Sequence, residues 1–457
     1  MKPVFLWTDI ALWAMLAALI GYVLRIRASA QMRQTWERVL RDPAALSAGI
    51  VMALFLGVTM LDSLHFRAEL SGGVYDTRTE SVLDRLLARQ VASRESSYSA
   101  PLAWRGYNIS ATPDGKRDFP RLAYGGAHLE DPQREWTGDL LARAGAGLAL
   151  GALAAAGLFA LFARRVGARD LLADRTHYPL RAAWLTLSVI ALLAGPLLVL
   201  MPHYHVFGTD RTGNDVLYLA LKSVRTAFVI GALSTLATLP LALVLGVLAG
   251  YFRGWVDEAI QYLYTTLSSV PNVLLIAACV LMVQVFLDKN PDAFETGAER
   301  SDLKMFLLCL ILGLTGWAGL CRLVRAETMK LRELDYVQAA SAFGVGHARI
   351  MARHIVPNVM HLVLITLVLS FSDLILYEAV LTYVGVGVDP AMVSFGGMIN
   401  LARAEMSRDP LVWWSFAAAF GAMVSLVLAA NLFADGVRDA FDPRSRSRRP
   451  FLRRRPR

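Results

Sequence analysis

The sequence predicts an all-α integral membrane protein with about nine transmembrane helices. Apolar residues make up 56% of the chain and charged residues only 18%, whereas soluble domains average about 45–50% and about 25%. Apolar stretches of the length that crosses a bilayer, about 20 residues, recur along the whole chain. They cover roughly residues 4–24, 44–64, 140–163, 182–201, 226–250, 258–287, 303–321, 359–384 and 411–434.

Basic residues orient these nine spans. Short loops rich in Lys and Arg remain on the cytoplasmic side. Four basic clusters share one side if the N-terminus lies outside, which predicts an external N-terminus and a cytoplasmic C-terminus. The clusters are Arg25–Arg41, Arg164–Arg181, Arg322–Arg353 and the tail from Asp435, which has nine Arg against three Asp. Such a tail in a multispanning protein favours contact with anionic lipid rather than with nucleic acid.

The N-terminal apolar run, Pro3 to Leu24, is followed rather than preceded by basic residues. A cleaved signal peptide has the opposite charge order, so we interpret this run as a retained span. The three cysteines lie inside apolar segments without zinc-type spacing, and we expect no metal site. His203 and His205, beside a membrane exit, are interpreted as interfacial polar anchors rather than as metal ligands.

A polar stretch, His65 to Gly138, separates the second span from the third. Within it, Val82, Leu83, Leu86, Leu87 and Val91 have helical spacing, which predicts one amphipathic helix over Ser81–Ser93. The remainder is rich in turn-forming residues.

The loop from Tyr336 to Asn358 has the most unusual pattern in the chain. Two short runs of helical apolar spacing flank Gly344-Val345-Gly346, and glycine can adopt the positive φ that a sharp turn requires. Pro357 is expected to close the second run. The pattern predicts two short helices at an angle, with small residues at the corner that would let another surface approach closely.

In this loop, QAASAFGVGHARIMARHIVPN (338–358) resembles the EAA loop of ABC-importer permeases. The family pattern is Glu-Ala-Ala, a glycine four residues after the second alanine, and then Ile-x-Leu-Pro. Gln338 replaces the usual Glu and Val356 the usual Leu. The resemblance implies an ATPase-coupling site made of Gln338, Ala339, Ala340, Gly344, Ile355, Pro357 and Asn358.

Other segments extend the likeness. HVFGTDRTGNDV (205–216), YEAVLTYVGVGVDP (377–390) and NLFADGVRDAFDPR (431–444) resemble family segments in the same order, although Asn214 replaces a usual Arg. Together they are similar to the second, C-type permease subunit of dipeptide and oligopeptide importers. The implied division is an N-terminal two-helix membrane region (1–64), a periplasmic insert (65–138), an extra helix pair (139–204), a type I permease core (205–444) and a basic cytoplasmic tail (445–457).

The resemblance implies a bacterial inner-membrane protein that pairs with a second permease subunit. Two separate ATPase subunits and a periplasmic solute-binding protein would complete the importer, and peptide would be its cargo. The chain lacks the phosphate-binding pattern G-x-x-x-x-G-K-[ST], so we expect neither its own ATPase site nor a catalytic residue or cofactor. The alternatives are another cargo, such as a metal chelate or glutathione, an ion-coupled secondary transporter, or a membrane enzyme.

Polar residues inside spans are candidates for a pore lining. An ionised side chain at the bilayer centre costs about 2.5–3.5 kcal/mol even on insertion scales, so it persists where it faces water or a partner. Hydrogen bonding between helices is the alternative role for the uncharged residues. The candidates are Asp373, Glu378, Gln261, Thr265 and Ser269.

Overall fold

The computed structural model describes residues 2–69, 75–111 and 117–441 and is mainly helical. The basic tail, 445–457, lies outside the described residues. Within the described ranges, nine helices are long and apolar enough to cross a membrane, as the composition predicted. They are α1 (Trp7–Ala28), α3 (Pro43–Asp62), α6 (Pro132–Val166), α8 (Leu180–Leu200), α9 (Val216–Phe252), α11 (Asn272–Lys289), α12 (Gly297–Arg332), α14 with α15 (His347–Val384) and α17 (Trp414–Phe441).

Shorter elements connect the spans. The helices are α2 (Ala30–Arg41), α4 (Val82–Leu86), α5 (Ala88–Ala92), α7 (Ala168–Leu172), α10 (Gly254–Ser269), α13 (Asp335–Ala342) and α16 (Phe395–Glu405). The strands are β1 (Lys2–Val4), β2 (His65–Arg67), β3 (Glu80–Ser81), β4 (Ser110–Ala111) and β5 (Arg117–Asp118). Strands β1, β2 and β3 form an antiparallel sheet in that order, which joins the N-terminus to the insert.

The expected span over 258–287 is two helices rather than one. Helix α10 ends at Ser269, Val270 has an extended backbone, and α11 begins at Asn272. Pro271 lacks the amide hydrogen that a continuous helix would need here, and its ring disfavours a helical conformation at Val270. Several other spans are longer than predicted; α9 and α12, for example, continue past the apolar run into polar sequence.

Helices α9 and α12 form the centre of the bundle and approach closely at glycines. A Cβ atom at Gly246 would lie 2.8 Å from the Val324 side chain, and one at Gly250 would lie 2.6 Å from Thr328. Only glycine permits this separation. The apolar residues around this crossing include Cys321 and Val324, both fully buried. The same apolar cluster continues to Ile350 and Ile355 in the loop Tyr336–Asn358, which we call the EAA-like loop.

The insert packs against the end of the bundle that lies away from the EAA-like loop. Ser99 and Thr209 exchange hydrogen bonds, with the Ser99 amide donating to Thr209 Oγ1 at 2.7 Å and the Thr209 amide to the Ser99 carbonyl at 3.1 Å. Trp414 Nε1 donates to the Thr209 carbonyl at 2.9 Å, and the Tyr107 ring packs edge-on against Trp414. The insert is therefore docked on the core rather than tethered to it.

The single amphipathic helix predicted over Ser81–Ser93 is wrong. Two five-residue helices, α4 and α5, occupy this stretch and are separated at Leu87, whose backbone is not helical. Helix α4 begins with a capping box: the Asp84 amide donates to Ser81 Oγ and the Ser81 amide to Asp84. Asp84 also accepts from Lys222 Nζ at 2.5 Å, so tertiary charge contacts fix where the helix starts.

His205 is buried, not an interfacial anchor. Its Nδ1 lies 2.8 Å from Asp215 Oδ2, and its Nε2 lies 3.5 Å from Glu95 Oε1. Burial opposes the imidazolium charge, but the bonds to Asp215 and Glu95 outweigh burial and raise the pKa of His205 to about 9. The charged imidazole therefore joins the insert, through Glu95, to the start of α9, through Asp215.

The first helix is joined to the core by buried charges. Arg225 on α9 donates to Asp9 Oδ1 at 2.6 Å and to Thr8 Oγ1 at 2.8 Å, both on α1. Asp302 on α12 accepts from the Thr8 amide at 3.0 Å and lies 3.5 Å from Arg225. His65 Nδ1 lies 2.7 Å from Asp9 Oδ2. Because all five side chains are largely buried, the cluster makes α1 part of the folded core.

Candidate coupling loop and translocation surface

The EAA-like loop (Tyr336–Asn358) has the helix-turn-helix form that the sequence predicted. Helix α13 ends at Ala342, Gly344 has φ +74°, and α14 begins at His347. The amide of Gly344 donates to the Ser341 carbonyl at 3.0 Å, and the amide of Val345 to Ala340 at 3.1 Å, so the turn is closed by backbone hydrogen bonds. A left-handed residue in this position is what allows the chain to reverse.

Three buried apolar side chains anchor the loop. Val337, Ile350 and Ile355 are fully or almost fully buried in the apolar cluster between α9 and α12. His347 Nδ1 lies 2.9 Å from the hydroxyl of Tyr251 near the end of α9. Packed side chains transmit displacement because a dense core resists compression. The loop is thus rigidly attached to the central helices.

The opposite face of the loop is open. Ala339 is exposed, and Phe343 exposes 87% of its side chain. A Cβ atom at Gly344 would meet no heavy atom within 4 Å. A protruding aromatic side chain beside small residues is suited to insertion into a groove of another protein, since large exposed apolar groups typically mark contact sites.

Pro357 does not end the second helix, contrary to the expectation from sequence. The chain passes from α14 through a π-helical turn, Met351–Ile355, directly into α15 (Val356–Val384). The wider turn accommodates a proline that cannot donate to the preceding helical carbonyl. Asn358 Nδ2 donates to the His354 carbonyl at 2.6 Å and lies 3.1 Å from the Tyr336 hydroxyl, so it joins this turn to α13.

Gln338, where the resembled family usually has Glu, is exposed on α13. Its side-chain amide donates to the Glu333 carbonyl at 3.3 Å, which an ionised carboxylate could not do. Gln338 therefore has a local structural role, because it binds the carbonyl that directly follows the end of α12. The family pattern did not predict this hydrogen bond.

Asp373 lies in a cleft between four core helices. The cleft has a volume of about 180 Å³ and is lined by α9, α11, α12 and α15. Asp373 is exposed and has no hydrogen-bond or ion-pair partner in the described part of the chain. Asn272 and Tyr377 also line the cleft, and the Tyr377 hydroxyl has no partner within the same ranges. An unpaired carboxylate within a spanning helix needs water or a partner beside it.

The other candidates for a pore lining lie elsewhere. Glu378 is 1% exposed and accepts from Thr382 Oγ1 at 2.7 Å, so it is inside the chain rather than on an open surface. Its position beside Gly396 shows that it joins α15 to α16. On α10, Gln261 is half-buried, whereas Thr265 and Ser269 are exposed and lead toward Asn272.

Sequence reasoning missed Asn272 and Tyr377 as cleft residues. Polarity within a span was the available signal for both residues, and Tyr377 directly precedes the candidate Glu378. Within residues 2–69, 75–111 and 117–441, no group of three or more His, Cys, Asp and Glu side chains has the geometry to hold a metal ion.

Comparison with known proteins locates the same region. Residues 242–447 match the family described as binding-protein-dependent transport system inner membrane component. An oligopeptide transport system permease protein, OppC, of Mycobacterium tuberculosis is 32% identical over 249 residues, which cover 54% of this chain and 79% of the relative. The OppC protein of Haemophilus influenzae is 30% identical over 54% of this chain and 72% of its own length. A putative peptide permease protein of Brucella suis is 28% identical over 53% and 74%.

The family match begins within α9 and extends past α17, so it contains the EAA-like loop and Asp373. The nine apolar helices agree with a multi-pass protein of the inner membrane. The chain belongs to the family of binding-protein-dependent inner-membrane transport components, the permease subunits of ABC importers.

Proposed function

We propose that this chain is the C-type subunit of an importer that moves di- and oligopeptides across the bacterial inner membrane. It would pair with a second permease subunit, two ATPase subunits and a periplasmic solute-binding protein. The EAA-like loop carries this proposal: one face is anchored by Ile350 and Ile355, and the other presents Phe343 and Gly344 to a partner. The peptide cargo is supported by the printed names of the relatives.

The loop would act as the mechanical link. Closure of the ATPases on ATP would move the EAA-like loop, and the buried anchors would pass that motion to α9, α12 and α15. Rigid-body rocking of these helices would then open the Asp373 cleft to one side of the membrane at a time. Residues 205–444 would form this moving core, whereas 1–64, 65–138 and 139–204 would be additions around it.

Asp373→Asn tests the cargo and the path together. We expect uptake of trilysine to fall by about fivefold relative to trialanine, because losing one exposed carboxylate from the cleft removes about 1 kcal/mol of charge attraction. The measurement is uptake of both labelled peptides in cells at matched permease level. Glu378→Gln is the control, since this buried group should alter protein level without altering the ratio.

Two results would count against the proposal. An unchanged trilysine to trialanine ratio in Asp373→Asn would remove this residue from the path. The absence of any peptide uptake by the parent transporter, together with uptake of a metal chelate or glutathione, would replace the cargo and leave the permease assignment intact.

The proposed orientation places the EAA-like loop in the cytoplasm and the insert in the periplasm. Ser96 and Ser341 are both exposed and suit single-cysteine replacement. In cells with a permeabilised outer membrane, an impermeant thiol reagent should label Ser96→Cys and leave Ser341→Cys unlabelled. The parent chain, in which Cys309 and Cys321 are buried and Cys279 half-buried, gives the background. Labelling of Ser341→Cys alone would show that the chain has the opposite orientation in the membrane.

A further inference from the structure

A separate cavity lies between the insert and the core, at the end of the bundle away from the EAA-like loop. Its volume is about 550 Å³, within the range of about 300–1,000 Å³ typical of small-molecule sites. The insert forms one wall of this cavity and the core forms the other. The side chains that matter here are Ser97, Tyr98 and Asn108 from the insert and Arg211, Glu405 and Arg408 from the core. We call this the collar pocket.

Glu405, the last residue of α16, is a buried carboxylate with half of its bonding capacity unused. The residue is 5% exposed. Its Oε1 accepts from the Tyr98 hydroxyl at 2.9 Å, whereas its buried Oε2 has no partner anywhere in the described ranges. Burial is the largest cause that raises the pKa of Glu405, because removal from water disfavours the carboxylate charge. Buried polar groups are normally paired, and an exception calls for an occupant.

Two guanidinium groups border the same pocket, and neither forms a hydrogen bond to that carboxylate in the described ranges. Arg211 and Arg408 are exposed, and neither forms an ion pair within residues 2–69, 75–111 and 117–441. The Arg408 guanidinium lies over the Tyr98 ring, 5.0 Å from its centroid, which holds it at the pocket wall. Asn108 Nδ2 donates to Ser97 Oγ at 2.8 Å, which fixes the facing wall.

We propose that the collar pocket binds a zwitterion, with an ammonium group on Glu405 Oε2 and a carboxylate between Arg211 and Arg408. A short peptide with free termini has this chemistry. The inference rests on the proposed peptide function and extends it by assigning the insert a role. The insert would complete a first receiving site for the cargo before the cargo enters the Asp373 cleft.

The direct test is peptide binding to the full transporter in nanodiscs, without nucleotide and without the solute-binding protein. The probes are trialanine, N-acetyl-trialanine and trialanine amide, titrated calorimetrically. Glu405→Gln should weaken trialanine binding about tenfold or more, the effect of losing a charged hydrogen bond. The same variant should leave N-acetyl-trialanine unaffected, because that probe has no ammonium group.

Further variants separate the pocket from a general folding effect. Arg408→Gln, at an exposed position, should weaken trialanine more than trialanine amide. Glu258→Gln, an exposed acid at the other end of the bundle, should change neither. Equal affinity of parent and Glu405→Gln for trialanine, or no binding to the parent at all, would overturn the inference. If binding fails in this way but the parent transporter still takes up peptide, the proposed function is retained and only the pocket is excluded. If the parent transporter takes up no peptide, the proposed peptide cargo is wrong as well.

Discussion

Gly344→Val should abolish transport while leaving a folded, inserted permease. Gly344 has φ +74°, and a β-branched residue held in this region carries strain of about 1–3 kcal/mol. No atom of this chain lies within 4 Å of the new Cβ. The valine side chain would therefore project from the loop toward whatever docks on it. We expect uptake to fall below about a tenth of the parent level and co-purification of the ATPase to be lost.

Two neighbouring variants separate strain from obstruction. Gly346 also has open space around its Cβ position, but its φ is −60°, so Gly346→Ala should retain uptake. Gly344→Asn adds a side chain that tolerates positive φ. If the added side chain obstructs docking, Gly344→Asn should lose uptake as Gly344→Val does. If backbone strain is the cause instead, Gly344→Asn should take up peptide like the parent. Normal uptake with a normally bound ATPase in Gly344→Val would show that this loop does not couple the two subunits.

Arg225→Met should strongly destabilise the fold. It removes the cation that faces Asp9 and Asp302 and leaves both carboxylates buried. Breaking a buried ion pair from one side typically costs about 3–5 kcal/mol. We expect α1 to detach from α9 and α12, with a lower midpoint of thermal unfolding in detergent and a lower protein level in the membrane.

Arg253→Met is the matched control for that experiment. Arg253 also pairs with a carboxylate, Glu333 at 2.5 Å, but both side chains are about half exposed. Exposed pairs contribute about 0–1 kcal/mol, so this variant should unfold near the parent temperature. A further variant, Asp302→Asn with Arg225→Met, should recover part of the loss, because it removes a buried carboxylate that no longer faces a cation. Identical midpoints for Arg225→Met and Arg253→Met would show that the cluster does not hold α1 in place.

The number of spans and the form of the EAA-like loop were predictable because each depends on local chemistry. A run of about 20 apolar residues is long enough to cross the bilayer whatever its neighbours are. Gly344 between two apolar-periodic runs likewise requires a turn with positive φ, and the structure has that turn. The nine predicted spans correspond to the nine apolar helices of the described chain.

Errors arose where contacts that the local sequence pattern does not show decide where a helix ends or whether a side chain is exposed. Pro357 was expected to end a helix, but a π-helical turn and the Asn358 side chain carry the helix past it. Glu378 was a pore-lining candidate because it is polar and lies in a family-like segment, whereas in the structure it is buried beside α16. The helix predicted over Ser81–Ser93 is divided at Leu87, and Asp84, which caps the start of α4, pairs with Lys222 on α9.

By itself, the sequence predicted an all-α membrane permease with a helix-turn-helix loop around Gly344, and the structure has both features. Hydropathy, charge asymmetry and glycine placement depend on residues that are close in sequence, so they can be recognised from the sequence alone. The tertiary structure decided which buried charges are paired. Asp9 and Arg225 are separated by 216 residues, yet they share one ion pair. Glu405, 307 residues from Tyr98, has only one of its oxygens satisfied. Because desolvation sets the energy of each charge, only the packed fold distinguishes a structural pair from an open site.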